Sequence, residues 1–346
     1  MMIKRQSASS VPMSVPPKLK PGDAIRVLAL SRSLGGVMKW NGTTEQDIAF
    51  ATGRLEAMGL KVTFGHYVRE CNEHLTASPE HRLEDLHNAI ADAAVKGILA
   101  VSGGAGAIQM LDGMDYDLIA AHPKIICGYS DISYPGFAIL ARTGLTTYYG
   151  AHFTSFMMQQ GAEYLIASFR QCLFDNAPYE LKPSSHWSDD NWPKDQVNRT
   201  FHVNEGYWCI QPGEAEGRSV AGAYWVLNML QGSKYFPPLR DAILFLEYPA
   251  EGRPTLITLD SCLRALAFQP AFAGVRGIVL GRYARDGRIT RENLTCLLHH
   301  IPALRGLPVI ANCDFGHTAP LATLPNGGRC QIHASEKQTR IVIQEH

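Results

Sequence analysis

Residues 124–133 read KIICGYSDIS, and residues 134–142 continue with the spacing of a helix. The apolar run is typical of a buried strand, and the Gly-x-Ser segment after it is typical of a tight turn into a helix. Such a turn holds Ser130 out of the sheet, with backbone N–H groups and a helix N-terminus facing its hydroxyl. This is the geometry that a nucleophilic serine requires. A simpler interpretation is that Asp131 or Ser133 only caps the helix.

Strand-like and helix-like segments alternate through the first 150 residues. Helical spacing covers residues 44–58 and 79–95, and apolar strands are predicted at residues 24–30, 60–64, 97–101, 124–128 and 146–149. Strands separated by helices need crossover connections, so we expect a largely parallel sheet with helices on both faces. Ligands of such sheets bind beyond the carboxyl ends of the strands. Ser130 and the glycine-rich segment 102–106 both belong to that edge.

The second half of the chain contains more strands than helices. Strands are predicted at residues 242–247, 277–281 and 307–311, a helix at 261–268, and hairpin turns at 326–327 and 335–336. The predicted fold class is α/β, with an N-terminal, mostly parallel sheet flanked by helices and a smaller, strand-rich C-terminal domain. The predicted parts are a flexible arm (1–18), an N-terminal α/β domain (19–172), a linker with a tryptophan-containing loop (173–215) and a C-terminal domain (216–346).

Composition excludes several classes of function. The 32 basic and 32 acidic residues cancel, which argues against a nucleic-acid polymer or an anionic membrane as partner. No apolar run approaches the ~18 residues of a membrane span. The N-terminus lacks the apolar segment of a signal peptide, so a cytoplasmic location is expected. The eight cysteines are scattered without a ligand-like cluster, and no metal site is predicted.

Three further features could support a reactive serine. The segment Ser102–Gly106 follows a strand and fits a phosphate cradle, an oxyanion hole made by Gly103 and Gly104, or only a tight turn. His317 lies in a loop flanked by glycine and proline after a strand, where an imidazole can reach a cleft. Glu247 ends an apolar strand, and Glu251 is the competing carboxylate for orienting a histidine.

Tryptophans in a polar loop form another candidate feature. Trp187 and Trp192 lie within residues 183–193, which read PSSHWSDDNWP. Aromatic side chains in such a loop either pack a domain junction or face a ligand in a cleft. Both interpretations stay open from the residues alone.

The chain resembles the LD-carboxypeptidase family of serine peptidases, which includes muramoyl-tetrapeptide carboxypeptidases and microcin C self-immunity proteins. The segments that carry the resemblance occur in family order and span nearly the whole chain: LKPGDAI (19–25), SGGAG (102–106), GYSDI (128–132), ILFLE (243–247) and FGHT (315–318).

The resemblance implies a Ser-His-Glu triad in which Ser130 is the nucleophile, His317 the general base and acid, and Glu247 the residue that orients His317. It implies oxyanion donors from the Asp131 N–H and from the Gly103–Gly104 turn. It also implies a homodimer and no metal or organic cofactor. Trp187 is carried over as a substrate contact, and Glu251 is a second predicted substrate contact.

The sequence therefore predicts a serine carboxypeptidase that cleaves an L,D-peptide bond of a muropeptide. One alternative is a microcin-immunity-like hydrolase of aminoacyl- or peptidyl-nucleotides. A second alternative is a catalytically silent protein that binds a small ligand. In each case the expected partner is a small molecule, either a peptide or a peptidyl-nucleotide.

Overall fold

A computed structural model describes residues 12–248 and 256–346 of the chain. Its strands are β1 (Ala24–Leu28), β2 (Lys61–Phe64), β3 (Val95–Ala100), β4 (Ile125–Cys127), β5 (Thr147–Tyr149), β6 (Tyr179–Glu180), β7 (His186–Trp187), β8 (His202–Val203), β9 (Trp208–Gln211), β10 (Gly213–Ala223), β11 (Ala242–Glu247), β12 (Val275–Gly281), β13 (Val309–Cys313), β14 (Leu324–Asn326), β15 (Arg329–Ala334) and β16 (Arg340–Glu345). Its α-helices are α1 (Leu34–Asn41), α2 (Glu45–Glu56), α3 (Pro79–Ala91), α4 (Tyr116–Ala121), α5 (Ser133–Thr143), α6 (Glu163–Phe174), α7 (Tyr224–Met229), α8 (Leu256–Ala267) and α9 (Arg291–His299).

The first sheet has the strand order β14-β5-β4-β3-β1-β2. Strands β1 to β5 are parallel, as predicted, and β14 pairs antiparallel with β5. This edge strand comes from the segment predicted to belong to the C-terminal domain. The turn at Asn326-Gly327 was expected in a hairpin, but it instead carries the chain from the first sheet to the second. The hairpin expected at Ser335-Glu336 is present as β15 and β16.

The second sheet has the order β6-β16-β15-β10-β11-β12-β13-β9. Its centre, β10 to β13, is parallel, and the outer strands run antiparallel. The C-terminal region is thus strand-rich, as predicted. Strands β6 and β9 form the two edges of this sheet, although both come from the segment predicted as a linker.

Local sequence signals explain why several helices begin and end where they do. Thr44 and Asp47 form a capping box at the start of α2. Ser78 caps α3, and Pro79 occupies its first turn, where a missing N–H costs nothing. Gly144 ends α5 in the left-handed conformation. These elements match the sequence-based prediction to within a few residues.

Two apolar cores cover opposite faces of both sheets. One contains Leu28 and Ile126 of the first sheet together with Leu244 of the second. The other contains Val27 of the first sheet and Ile243 of the second. Because successive strand residues point to opposite faces, each core takes alternate residues from both sheets. The two halves of the chain therefore share their cores.

The predicted flexible arm, residues 1–18, lies partly outside the described residues. Its described part is packed rather than loose. Ser14 accepts a hydrogen bond from the Thr146 N–H and donates its own N–H to the Gly144 carbonyl. Lys18 Nζ donates to the Cys172 carbonyl oxygen at 2.6 Å. Backbone pairing and one half-buried lysine therefore fix residues 14–18 to the first sheet and its neighbouring helix.

Candidate active site

Ser130 lies three residues after the end of β4 and starts a short 3-10 helix, Ser130–Ile132, that continues into α5. Its φ angle is +62°, a left-handed conformation that serine rarely adopts. This backbone turn aims the Ser130 hydroxyl away from the sheet. The hydroxyl also lies at the positive end of a continuous helical segment.

His317 and Glu247 meet Ser130 from the second sheet. Ser130 Oγ lies 3.0 Å from His317 Nε2, and His317 Nδ1 lies 2.7 Å from Glu247 Oε2. A carboxylate only accepts hydrogen bonds, so Nδ1 carries the proton of the neutral imidazole. The free Nε2 then accepts the hydrogen bond of the Ser130 hydroxyl. The three predicted residues thus form one hydrogen-bonded chain.

The loop that carries His317 passes very close to Glu247. Gly316 has a φ angle of +105°, and a Cβ atom added there would lie 2.7 Å from Glu247 Oε2. Only glycine accommodates both this backbone conformation and this approach. Gly316 therefore allows the imidazole of the next residue to face the carboxylate.

Glu247 is almost fully buried, at 1% exposure, and its second oxygen also has a donor. The hydroxyl of Tyr149 donates a short hydrogen bond to Glu247 Oε1. Burial and the nearby Glu247 charge both raise the pKa of Tyr149, so the phenol keeps its proton. A buried carboxylate is costly unless donors satisfy it, and here each oxygen has one.

The predicted oxyanion donors differ in their existing contacts. The Gly103 N–H donates to His152 Nδ1 at 3.3 Å, so this N–H is already engaged. A Cβ added at Gly103 would lie 2.8 Å from the Ser130 Cβ, which brings this turn directly against the serine. Asp131 lies within the first turn of the helical segment, where N–H groups lack helical partners. Of the predicted donors, Gly104 and Asp131 therefore suit the oxyanion role better than Gly103.

The Asp131 side chain joins three loops beneath the site. Its Oδ2 accepts hydrogen bonds from Ser31 Oγ at 2.6 Å and from the Ala107 N–H at 2.8 Å. Burial raises the pKa of Asp131, and these two donors oppose the rise. The carboxylate thus fixes the serine turn to the loops that follow β1 and β3.

His152 is a site residue that the sequence analysis did not single out. It is buried, and burial lowers its pKa to about 3, so it stays neutral. Its Nδ1 accepts the Gly103 N–H, and its Nε2 lies 2.8 Å from the Tyr129 carbonyl oxygen and 3.1 Å from the Tyr129 backbone nitrogen. The His152 ring also stacks on the Tyr129 ring. His152 therefore connects the glycine turn to the serine turn.

An open cavity of about 810 Å³ leads to Ser130 and His317. Trp192 lines this cavity, whereas Trp187 does not. The Trp187 ring instead packs beneath the Arg282 guanidinium, with 4.9 Å between the Arg282 Cζ and the ring centroid, and beside His202. The structure thus gives the cavity position to Trp192 and a packing position to Trp187. The other predicted substrate contact, Glu251, lies outside the described residues.

The loop that carries Trp192 is fixed to the loop that carries His317. Ser188 and Ala319 exchange two backbone hydrogen bonds, at 2.7 and 2.8 Å. At the base of the same loop, Asp314 accepts the Ser184 N–H at 2.7 Å and pairs with Arg282 at 2.7 Å. Ala319 and Asp314 both lie within three residues of His317. The same contacts therefore hold the loop that carries Trp192 and the loop that carries the imidazole.

Residues 12–248 and 256–346 contain no group of three or more His, Cys, Asp or Glu side chains arranged to hold a metal ion. Within the same ranges, no helix is both long and apolar enough to cross a membrane. The predicted homodimer and cytoplasmic location stay predictions.

The profile of the LD-carboxypeptidase N-terminal domain matches residues 25–150, and that of the LD-carboxypeptidase C-terminal domain matches residues 216–332. Together these matches cover more than half of the chain.

One curated sequence relative is the putative carboxypeptidase YocD of Bacillus subtilis (strain 168). It is 40% identical over 329 residues, which cover 95% of this chain and 99% of the relative.

Two solved structures show the same fold. The MccF-like protein of Bacillus anthracis str. Ames has a TM-score of 0.93 and 43% identity, covering 96% of this chain and 100% of its own. The microcin C7 self-immunity protein MccF of Escherichia coli, in complex with aspartyl sulfamoyl adenosine, has a TM-score of 0.83 and 25% identity, covering 96% and 98%.

Proposed function

The chain belongs to the LD-carboxypeptidase family and is a serine-type hydrolase, and on this premise we propose that it cleaves an amide bond by acyl transfer to Ser130. The observation that carries the proposal is the hydrogen-bonded chain from Ser130 Oγ through His317 to Glu247, with 3.0 Å and 2.7 Å between the joined atoms. These distances lie within the range that a nucleophile and its base require.

In the first half of the reaction, His317 Nε2 takes the Ser130 proton while Oγ attacks the substrate carbonyl. Glu247 stabilises the imidazolium that forms and keeps the ring in its orientation. The N–H groups of Asp131 and Gly104 stabilise the negative charge on the tetrahedral oxygen. His317 then gives its proton to the departing amine, which leaves an acyl ester on Ser130.

In the second half, His317 takes a proton from water, and the resulting hydroxide attacks the acyl ester. The tetrahedral oxygen uses the same donors as before. Collapse of this intermediate breaks the bond to Ser130 Oγ, which regains its proton from His317. The enzyme is thereby restored, and the water molecule has become part of the released acid.

The substrate that we assign first is the L,D-peptide bond of a muropeptide. Removing a terminal amino acid requires a site for a free carboxylate. Arg32 lines the cavity beside the oxyanion turn, and a Cβ added at Gly104 would lie 3.1 Å from the Arg32 Cβ. Its guanidinium lies 4.1 Å from the Trp40 ring centroid, a stacking contact that suits recognition of an anion.

An aminoacyl- or peptidyl-nucleotide is the second candidate substrate. The Trp192 side chain on the cavity wall offers an aromatic face on which a nucleobase can stack. The similar MccF structure binds aspartyl sulfamoyl adenosine, which contains such a base. This candidate uses the same acyl-transfer steps and differs only in the leaving group.

The two substrates and a silent binding protein are separated by one set of measurements. A fluorophosphonate probe should label Ser130 in the unaltered protein and fail to label Ser130→Ala. Mass spectrometry of products from a mixed panel of muropeptides and aminoacyl-adenylates then identifies the leaving group. Full turnover by Ser130→Ala would eliminate the nucleophile assignment. Ligand binding without any labelling would favour the silent protein.

A further inference from the structure

Tyr149 connects two members of the proposed site from inside the protein. It is the last residue of β5 and is 2% exposed. Its hydroxyl donates to Glu247 Oε1 and accepts the Ser130 backbone N–H, with 3.2 Å between the nitrogen and the phenol oxygen. Together with the contacts of His317, these bonds close a ring that passes through Ser130, Tyr149, Glu247 and His317.

We propose that Tyr149 is a positioning residue for the reaction. In this role it holds Glu247 as an oriented anion and holds Ser130 in its left-handed backbone conformation. The inference rests on the proposed function, because it requires His317 to act as the base for Ser130.

The first part of this role is electrostatic. The phenol keeps its proton, because burial and Glu247 both raise the pKa of Tyr149. It therefore donates to the carboxylate and offers only an oxygen lone pair to the Ser130 N–H. Removing the hydroxyl would leave Glu247 Oε1 buried without this donor. A buried anion that loses a donor attracts a proton to its neighbourhood more strongly.

The second part of the role is conformational. A non-glycine residue in the left-handed region persists only where its surroundings hold it. The bond from the Ser130 N–H to Tyr149 is one such restraint. It also removes this N–H from the set of oxyanion donors, which assigns that task to Asp131 and the glycine turn.

Other ionisable groups face the same pair of side chains. Tyr224 and Tyr283 lie near Glu247. Burial raises the pKa of both tyrosines, and the Glu247 charge adds a smaller rise, which for Tyr224 is the least of several. Within the described part of the chain, however, their buried hydroxyls have no hydrogen-bond partner. His152 faces His317 and stays neutral, since burial lowers its pKa to about 3. Of these three tyrosines, Tyr149 donates a hydrogen bond to Glu247, and replacing it by phenylalanine removes that bond.

The test compares Tyr149→Phe with Tyr148→Phe. Tyr148 is the preceding residue of β5, and its buried hydroxyl has no partner among the described residues. Both variants lose one hydroxyl from the same buried strand, but only the first loses contacts with the site. Fluorophosphonate labelling of Ser130 is measured against pH, together with kcat and KM for an accepted substrate.

We expect Tyr149→Phe to lower the labelling rate and kcat by about 10- to 100-fold, the usual effect of losing an orienting hydrogen bond. KM should stay nearly constant. The acid limb of the pH profile should move to higher pH, because the less neutralised Glu247 favours the imidazolium form of His317. Tyr148→Phe should match the unaltered protein in all of these measurements.

Equal labelling rates and equal pH profiles in both variants would overturn the inference. If circular dichroism shows that Tyr149→Phe does not fold, 3-fluorotyrosine placed at position 149 supplies a stronger donor and should move the acid limb to lower pH. An unmoved limb in that protein would also overturn it. Absence of Ser130 labelling in the unaltered protein would instead overturn the proposed function.

Discussion

The backbone conformation of Ser130 presents its hydroxyl for reaction but is unfavourable for a residue with a side chain. At a φ angle of +62°, a side chain with a Cβ atom is strained, typically by about 1–3 kcal/mol, and glycine is not. The conformation that presents the hydroxyl should therefore reduce the stability of the folded protein. Reactive residues are often strained in this way, so that activity is maintained at a lower stability of the fold.

We expect Ser130→Gly to be more stable than Ser130→Ala by about 1 kcal/mol, because only glycine accepts this backbone angle freely. Urea unfolding of the two variants measures the difference. Both should lose turnover by at least about 1000-fold, since neither has a nucleophile. An alanine variant as stable as the glycine variant would show that the turn is not strained.

The three residues predicted as a triad were accessible from the sequence because each lies at or after the end of a recognisable strand. Ser130, Glu247 and His317 also lie in segments that resemble one family. Tyr149 and His152 gave no comparable signal, since a tyrosine in a strand and a histidine after it are ordinary core residues. Their roles depend on contacts with Glu247 and Gly103, which are far away in the sequence.

Among the elements, the turns around the site depend on the neutral imidazole of His152. Burial lowers its pKa to about 3 from the ordinary value of 6.5. Between these pH values the unfolded chain binds a proton that the folded protein excludes. The free energy of unfolding must therefore decrease as the pH falls through this range.

For the unaltered protein we expect this histidine to remove about 2 kcal/mol of unfolding free energy between pH 8 and pH 5. The variant His152→Gln should lose less stability over the same interval, because glutamine does not titrate. Urea unfolding at several pH values measures both slopes. The exposed His122, at the end of α4, supplies the control His122→Gln, which should keep the unaltered slope. Equal slopes in all three proteins would contradict the assignment.

The loop of residues 184–204 is the element that the sequence described least well. Two tryptophans marked it, but polar residues on both sides of each gave no indication of which one faces the cavity. The choice is made by Arg282, which covers the Trp187 ring, and by the pairing of Ser188 with Ala319. Both partners are at least 90 residues away, so no local pattern contains them.

We expect Asp314→Ala to destabilise the protein by about 3 kcal/mol, because it leaves the buried Arg282 without its ion-pair partner and frees the base of this loop. Turnover should fall as well, since the same loop supports His317. The control is Asp195→Ala in the same loop, whose carboxylate accepts hydrogen bonds from the nearby residues Val197 and Asn198. Its unfolding free energy should change by about 1 kcal/mol or less. Equal destabilisation in the two variants would contradict the proposed support.

At the scale of the whole molecule, the two predicted domains are interlocked. The parallel pairing of strands β1 to β5 was predictable from their alternation with helices. The edge strand β14 was not predictable, because its three residues, LPN, carry no strand signal. Its position depends on the antiparallel pairing with β5, and the shared cores reinforce the connection.

Because both cores include residues from both sheets, we expect the protein to unfold in one cooperative transition. Far-UV circular dichroism and the loss of Ser130 labelling should have the same urea midpoint. Tryptophan fluorescence provides an independent third probe. Separate midpoints for the first and second sheets would show that the halves are autonomous.

The placement of β14 at the edge of the first sheet also has a consequence for biosynthesis. A ribosome that has translated β5 must continue to residue 326 before the strand that flanks β5 can emerge from the exit tunnel. For most of that interval the nascent polypeptide contains Ser130 but lacks His317, which is translated only a few codons before that strand. Products released before residue 317 is translated would therefore carry the hydroxyl without its proton acceptor.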